Sequence, residues 1–321
     1  MTHVGVIGAG AFGTALASVM RIGGLDVTLW GRDGAQIALM QVERQNARYL
    51  PGVALPDRLN VTADLEQIGG ADVVLMVLPA QRLRGFLEDQ KFTSDAPVVL
   101  CAKGIEGGTG LLQTQIVEQV ADLQTAVLSG PGFASEMTKG MPTALSIASK
   151  DAALGAQLQA MLSTQSLRLY LSPDEVGVQL GGALKNVYAI ACGLVVGAGL
   201  GESARAALMT RGFAELARLA GSLGAHTETL MGLSGFGDLA LSCTSLQSRN
   251  FAFGEQLGRT GTFGTGKTVE GIATAEAVLS LAKTVDVEMP IAQAVADVLD
   301  GRMQIAQALA TLMSRPLKRE G

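Results

Sequence analysis

Apolar runs too short for helices alternate with helical patterns through the first half of the chain, and helical patterns take over the second. The run Val4-Gly5-Val6-Ile7 opens into Gly8-Ala9-Gly10-Ala11-Phe12-Gly13, after which Ala15, Leu16, Val19 and Met20 recur at helical spacing. This predicts a buried strand, a tight turn and an amphipathic helix. A second strand is expected over 26–30, then a helix carrying Ile37, Met40 and Val42. Val73-Val74-Leu75-Met76-Val77-Leu78, ended by Pro79, lacks polar alternation, as a parallel strand covered on both faces requires. Residues 97–102 and 125–128 repeat that form, and each opens into a glycine-bearing loop. Residues 143–148 and 167–171 read as the last strands. Ser172-Pro173-Asp174-Glu175 then has the signature of a capping box, with serine as N-cap and proline at the first helical position. Helices are expected over 176–200, 204–223, 271–285 and 291–313, and the tail from Ser314 reads as a solvated end.

The three glycines Gly8, Gly10 and Gly13 have G-x-G-x-x-G spacing between a strand and a helix, the context in which a dinucleotide fingerprint becomes credible. The first permits the tight turn, the second lets backbone approach a pyrophosphate, and the third lets helix and strand pack closely. Free N–H groups and the helix dipole favour the anion. The expected architecture is therefore α/β: an amino-terminal Rossmann-type doubly wound sheet over 1–173, the dinucleotide-binding domain, followed by an all-helical domain over 174–321. An acid at the end of the second strand would hold the ribose 2′-hydroxyl of NAD, but Trp30 stands there. Arg32 follows and can pair with a 2′-phosphate, so the cofactor is expected to be NADP or NAD, and Asp33 is expected to cap the next helix.

Composition narrows the function classes. With 48% hydrophobic and 17% charged residues the chain can bury a large core, which excludes disorder. A net charge of −5 argues against a nucleic-acid surface, so an anionic ligand must be met by a few local cations. Cys101, Cys192 and Cys243 lie far apart among apolar or small residues and read as reduced core thiols of a cytoplasmic protein. The two histidines, His3 and His226, leave no His/Cys metal cluster and read as structural. No basic segment precedes an apolar run at the amino terminus, so no signal peptide is expected. The uncharged stretch 187–201 is shorter than the roughly 20 residues a bilayer needs, and reads as a buried central helix.

Within 177–200 the one charged side chain is Lys185, and Gly181 and Gly182 lie one turn earlier on its helix face. An isolated buried charge is costly, so this lysine must be paired, shifted in pKa or facing a cavity. Asp238 offers a carboxylate in the glycine turn Gly235-Phe236-Gly237, and a helix cap is its simpler reading. Ser248-Arg249-Asn250 groups donors suited to phosphate. Residues 261–268 match the Walker A pattern, but a P-loop needs a buried strand before it, and 255–260 is polar and glycine-broken.

With these residues placed, the chain resembles the bacterial-type NAD(P)-dependent glycerol-3-phosphate dehydrogenases. The resemblance runs through the glycine-rich start, Leu29-Trp30-Gly31-Arg32, 46–51, Ala102-Lys103-Gly104, Gly130-Pro131, Gly181-Gly182-Ala183-Leu184-Lys185-Asn186, Gly237-Asp238-Leu239, Gln247-Ser248-Arg249-Asn250 and Val269-Glu270-Gly271. It implies reversible reduction of dihydroxyacetone phosphate to sn-glycerol 3-phosphate, a phospholipid precursor, and a helical domain like that of 6-phosphogluconate dehydrogenase. It implies Lys185 as catalytic proton donor and acceptor. Substrate contacts are implied for Lys103, Gly130, Gly132, Lys185, Asp238, Ser248, Arg249 and Asn250. Cofactor contacts are implied for Ala11, Phe12, Arg32, Lys103, Ala134, Arg249, Thr268 and Glu270, beside the three loop glycines. Gly132 departs from the Thr or Ser usual in the family, leaving only backbone for a contact there. No transmembrane segment or nucleic-acid partner is expected, and a homodimer is. A β-hydroxyacid dehydrogenase or a non-catalytic dinucleotide sensor remains as an alternative; activity on dihydroxyacetone phosphate separates them.

Overall fold

The computed structural model describes residues 1–262 and 269–313; Thr268, most of the Walker-like stretch and the basic tail lie outside the described residues. Strands β1 (His3–Ile7), β2 (Asp26–Trp30), β3 (Asn60–Thr62), β4 (Val73–Met76), β5 (Val98–Leu100), β6 (Thr125–Ser129), β7 (Thr143–Ala148) and β8 (Leu167–Ser172) form one sheet. Their order is β3-β2-β1-β4-β5-β6-β7-β8. β3 to β6 are parallel, β7 turns antiparallel to β6, and β8 follows β7 in parallel. The chain leaves β1 toward β2 and β3, then crosses back to β4. This reversal opens a crevice at the carboxyl ends of β1 and β4, where doubly wound sheets bind ligands.

Six helices flank the sheet: α1 (Ala11–Ile22), α2 (Gly34–Glu43), α3 (Leu83–Gln90), α4 (Gln113–Val120), α5 (Ala134–Met137) and α6 (Ala152–Leu162). Strand periodicity sorts the core between the two faces. Val4, Val6, Val73 and Leu75 pack with residues of α1, α2 and α6, whereas Ile7, Val74 and Met76 pack with Leu83, Leu87, Ile116 and Val117 of α3 and α4. Both faces being covered is why these strands read as unbroken apolar runs.

The helical half comprises α7 (Glu175–Gly197), α8 (Glu202–Ser222), α9 (Thr227–Met231), α10 (Asp238–Cys243), α11 (Arg249–Thr260), α12 (Glu270–Thr284), α13 (Pro290–Leu299) and α14 (Ile305–Met313). Three sequence expectations are corrected here, and one strand went unforeseen. Ser172 ends β8 and does not cap α7; Asp174 is the N-cap, accepting from the Gly177 N–H at 2.7 Å, while the Glu175 carboxylate accepts from the Lys150 N–H instead. The helix expected over 291–313 is two helices, broken between Leu299 and Ile305 at Gly301, whose φ is +70°. Val42 faces solvent, because α2 turns only Ile37 and Met40 inward. The short edge strand β3, Asn-Val-Thr, carries too little apolar pattern to be seen in sequence.

α7 is long and apolar enough to cross a membrane, but 83% of its most apolar window is buried inside the protein. Around it lie α8, α10, α11, α12 and α13. Its closest neighbour is α11, and glycines set the distance. A Cβ at Gly193 or Gly197 would stand 2.2 Å from the Phe251 carbonyl oxygen or 2.1 Å from that of Glu255. Reciprocally, a Cβ at Gly254 or Gly258 would stand 2.2 Å from the Ile190 oxygen or 2.4 Å from that of Leu194. Two glycine pairs, each four residues apart, thus bring two backbones into direct contact.

The cysteines are buried free thiols. Cys243 sits against Cys192, and that contact with burial pushes its pKa well up, which keeps it unreactive. The His3 ring hydrogen-bonds with the Gly70 carbonyl and with Thr28 Oγ1 of β2, and His226 precedes α9.

The backbone contact between α7 and α11 predicts that Gly193→Ala and Gly254→Ala each destabilise the protein by about 1–3 kcal/mol. Gly85, on an exposed stretch of α3 with open space around it, should instead gain roughly 0.4–1 kcal/mol as alanine. Urea unfolding of the three variants checks the contrast.

Candidate active site

The 8–13 loop joins β1 to α1 at the crevice. Gly8 has φ +120°, and a Cβ there would lie 2.4 Å from the Val77 carbonyl oxygen; one on Gly13 would lie 1.9 Å from that of Gly8. Nothing stands within 4 Å of a Cβ on Gly10, the N-cap of α1, which offers no side-chain cap, and no acid occupies the first turn. A helix start left uncapped, uncompensated and open on one side suits a pyrophosphate. Ala11 and Phe12 form its first residues. Arg32 is exposed just beyond β2. Asp33 does cap α2, accepting from the Gln36 N–H at 3.1 Å. Ala134 begins α5, beyond the turn that follows β6.

Across the crevice lies a buried carboxylate between two ammonium groups. Asp238, the first residue of α10, is 1% exposed; its Oδ1 receives Lys185 Nζ at 2.7 Å and its Oδ2 receives Lys103 Nζ at 2.7 Å. Lys185 also donates to Ser242 Oγ at 2.8 Å, and Lys103 to the Gly130 carbonyl at 2.7 Å. The Lys103 ammonium stands 5.3 Å from the centroid of the Phe12 ring, so this cluster reaches the 8–13 loop. Burial raises the Asp238 pKa, but the two cations outweigh it and hold the carboxyl below its usual range. Burial pulls the Lys185 ammonium below its ordinary range; Asp238 opposes that pull and Lys103 adds to it.

Local backbone explains how these groups meet. Lys103 follows β5, Gly130 follows β6, and Lys185 projects from α7. Just before α10, residues Leu233–Gly237 make a π-helical turn, a distortion frequent at functional sites. Gly181 accommodates it, since a Cβ there would be 2.5 Å from the Ser234 carbonyl oxygen. Gly182 accommodates the Ser129 hydroxyl, 2.4 Å from where its Cβ would be. The two small residues one turn before Lys185 therefore admit protein, which sets Asp238 beside the ammonium. Gly130, at φ +143°, takes a conformation that L side chains rarely adopt, which aims its carbonyl at Lys103. At Gly132 the space a serine or threonine would use is narrowed by Thr143 and Met137, 3.2 and 3.3 Å from a Cβ.

At the amino end of α11, Ser248 is the N-cap, accepting from the Phe251 N–H at 3.3 Å, and Arg249 is exposed. Asn250 is buried with its side chain committed: its amide donates to Asn186 Oδ1 at 2.8 Å and its oxygen accepts from the Gly271 N–H at 3.0 Å. Asn186 in turn donates to the Lys103 carbonyl at 2.8 Å. One amide hydrogen and the side-chain oxygen of Asn250 are thus held by protein. Glu270 begins α12 and accepts from the Ala80 N–H; burial raises its pKa, with Arg249 opposing.

Two participants escaped the sequence reading. Ser242 stands one turn after Asp238 on the same helix face, a spacing that could have found it. Asn186, beside Lys185, gave no chemical signal of its own. The Walker-like stretch begins at Gly261, the left-handed C-cap of α11, so a helix and not a strand precedes it. No group of three metal-ligating side chains occurs among the described residues.

Two family models match. That of the NAD-dependent glycerol-3-phosphate dehydrogenase N-terminus covers residues 3–155, and that of the C-terminus covers residues 174–310. A glycerol-3-phosphate dehydrogenase (NAD(P)+) of Methylobacterium radiotolerans is 48% identical, over 99% of this chain and 98% of the relative. One of a Ruegeria species is 50% identical, over 99% of each. The crystal structure of glycerol-3-phosphate dehydrogenase from Coxiella burnetii superposes with a TM-score of 0.91 at 34% identity, covering 98% of this chain and 99% of that one. Over both matched segments, from β1 into α14, the chain belongs to the NAD-dependent glycerol-3-phosphate dehydrogenase family.

Proposed function

We propose that the lysine pair on Asp238 is the catalytic centre of the family's reaction in this chain. That reaction is the NAD(P)-dependent, reversible reduction of dihydroxyacetone phosphate to sn-glycerol 3-phosphate. One observation carries the assignment: a buried carboxylate holds two ammonium groups 2.7 Å away at the mouth of the sheet, within reach of the nucleotide loop.

Residues 1–173 form the dinucleotide-binding domain in this reading and 174–321 the helical substrate domain. Gly8, Gly10, Ala11, Phe12 and Gly13 hold the pyrophosphate, Arg32 the 2′-phosphate of NADP, and Ala134, Glu270 and Thr268 complete the cofactor site with Lys103 and Arg249. The bound dinucleotide supplies or accepts the hydride at the substrate carbon. Lys185 gives its proton to the forming alkoxide in reduction and takes it back in oxidation. Its lowered pKa makes both directions accessible, since an unperturbed lysine near 10.4 releases its proton reluctantly. Asp238 and Ser242 orient the ammonium, and Lys103 faces the substrate oxygen beside Gly130 and Gly132. Ser248, the Arg249 guanidinium and the Asn250 backbone at the start of α11 take the substrate phosphate, whose binding energy positions the reacting carbon. The chain works in the cytoplasm, where its buried thiols stay reduced, as a homodimer whose product feeds phospholipid synthesis.

Oxidation of NADPH or NADH, followed by absorbance on addition of dihydroxyacetone phosphate, tests the assignment; activity with a 3-oxo acid in its place would overturn it. Lys185→Ala should lower kcat by roughly 10²–10⁴ with cofactor binding retained, and normal turnover would remove its role. The pH profile adds a signed test. Reduction needs Lys185 protonated, so its kcat falls as pH rises through the Lys185 pKa, while oxidation gains. In Asp238→Asn the group that raises this pKa is gone, so both limbs should move to lower pH; limbs that stay put or move up would contradict the pairing. Arg249→Ala, losing a charged hydrogen bond worth about 1.5–3 kcal/mol, should raise the KM of dihydroxyacetone phosphate roughly 10–100-fold, and an unchanged KM counts against it. Arg32→Ala should lower kcat/KM for NADPH relative to NADH, read from the ratio of the two.

A further inference from the structure

The segment 46–51, part of the resemblance, has no role in the site as described. α2 ends at Glu43, and Arg44, left-handed at φ +50°, turns the chain back beneath the glycine loop. There the Asn46 side chain is buried, 1% exposed. Its Nδ2 donates to the Ala9 carbonyl at 3.0 Å and to Thr14 Oγ1 at 2.8 Å. Its Oδ1 accepts from Gln36 Nε2 at 3.3 Å, and Gln36 Nε2 also donates to the Ala9 carbonyl, again at 3.3 Å. Every side-chain bond of Asn46 is thus made to the loop, the first turns of α1, or α2.

The geometry has a directional consequence. In a trans peptide the C=O and the following N–H point in opposite directions. Holding the Ala9 carbonyl against Asn46 therefore turns the Gly10 N–H away from the protein interior, at the residue around which a Cβ would meet nothing within 4 Å. An amide with two donors and one acceptor satisfies the Ala9 carbonyl and the buried Thr14 hydroxyl together, which neither an aspartate nor an apolar side chain can do. We propose that Asn46, seconded by Gln36, is a positioning residue for the dinucleotide, fixing the peptide between Ala9 and Gly10 so that its N–H faces the pyrophosphate. The proposal rests on the 8–13 loop being the pyrophosphate seat.

The test is fluorescence titration of NADPH and of NADH into the wild-type chain, Asn46→Leu, Gln36→Ala and Gln41→Ala. Gln41 also lies on α2 and also donates to a main-chain carbonyl, that of Val61 at 2.7 Å, but away from the loop. Asn46→Leu should raise the Kd of both dinucleotides alike, roughly 10–100-fold, and Gln36→Ala about threefold to tenfold. Gln41→Ala should leave both unchanged, and kcat at saturating cofactor should fall far less than kcat/KM in the first two. Should Asn46→Leu fail to fold, Gln36→Ala, on a half-buried helix face, decides the matter against its control. Unchanged Kd values in Asn46→Leu and Gln36→Ala, or an equal rise in Gln41→Ala, overturn the proposal while leaving the pyrophosphate seat standing. A wild-type chain that binds neither dinucleotide overturns both.

Discussion

Two ammonium groups share one buried carboxylate in this protein, and the chemistry follows from that imbalance. Asp238 can neutralise one of Lys103 and Lys185, so the trio keeps about one positive charge in a site largely withdrawn from water. Residual positive charge beside a carbonyl favours the alkoxide that reduction creates, and it favours proton release from Lys185 when the reaction runs backwards. One carboxylate fewer would leave two cations repelling each other; one cation fewer would leave a neutral pair with nothing to offer a developing anion.

Holding three long side chains in that arrangement requires segments distant in sequence to meet without slack. Lys103 and Gly130 come from the carboxyl ends of adjacent parallel strands, so the sheet itself sets their spacing. Lys185 comes from α7, which is pinned on one side by its backbone contact with α11 and on the other by Gly181 and Gly182. The relay from Lys103 through Asn186 and Asn250 to the Gly271 N–H links the β5 loop, α7, α11 and α12 by three hydrogen bonds. Glycines along α7 thereby both let helices touch and place the charged cluster. Packing and catalysis are one constraint here.

Periodicity and turn chemistry exposed most of the scaffold. Strands buried on both faces announce themselves as apolar runs, and Lys185 stood out because nothing else between Val176 and Leu200 was charged. The glycines before Lys185 were legible as room for a neighbour, though not that the neighbour is the turn bearing Asp238. What stayed hidden depends on tertiary partners. The capping role of Asp174 was masked by a serine and a proline in plausible positions, because Glu175 is drawn to the Lys150 N–H. The break before Ile305 did carry a local signal, the turn dipeptide Asp300-Gly301, which the helical pattern on either side overrode. Ser242 and Asn186 gain meaning only from what they touch, and Asn250, which by residue type belongs to a phosphate site, has its amide engaged by α7 and α12.

A crystal structure of the complex with oxidised dinucleotide and dihydroxyacetone phosphate measures the central claim directly. The account predicts Lys185 Nζ within hydrogen-bond distance of the substrate carbonyl oxygen while still bonded to Asp238, with the nicotinamide ring on the other side of the reacting carbon. A substrate carbonyl bound out of reach of Lys185, with that ammonium still closed on Asp238 and Ser242 alone, would contradict it.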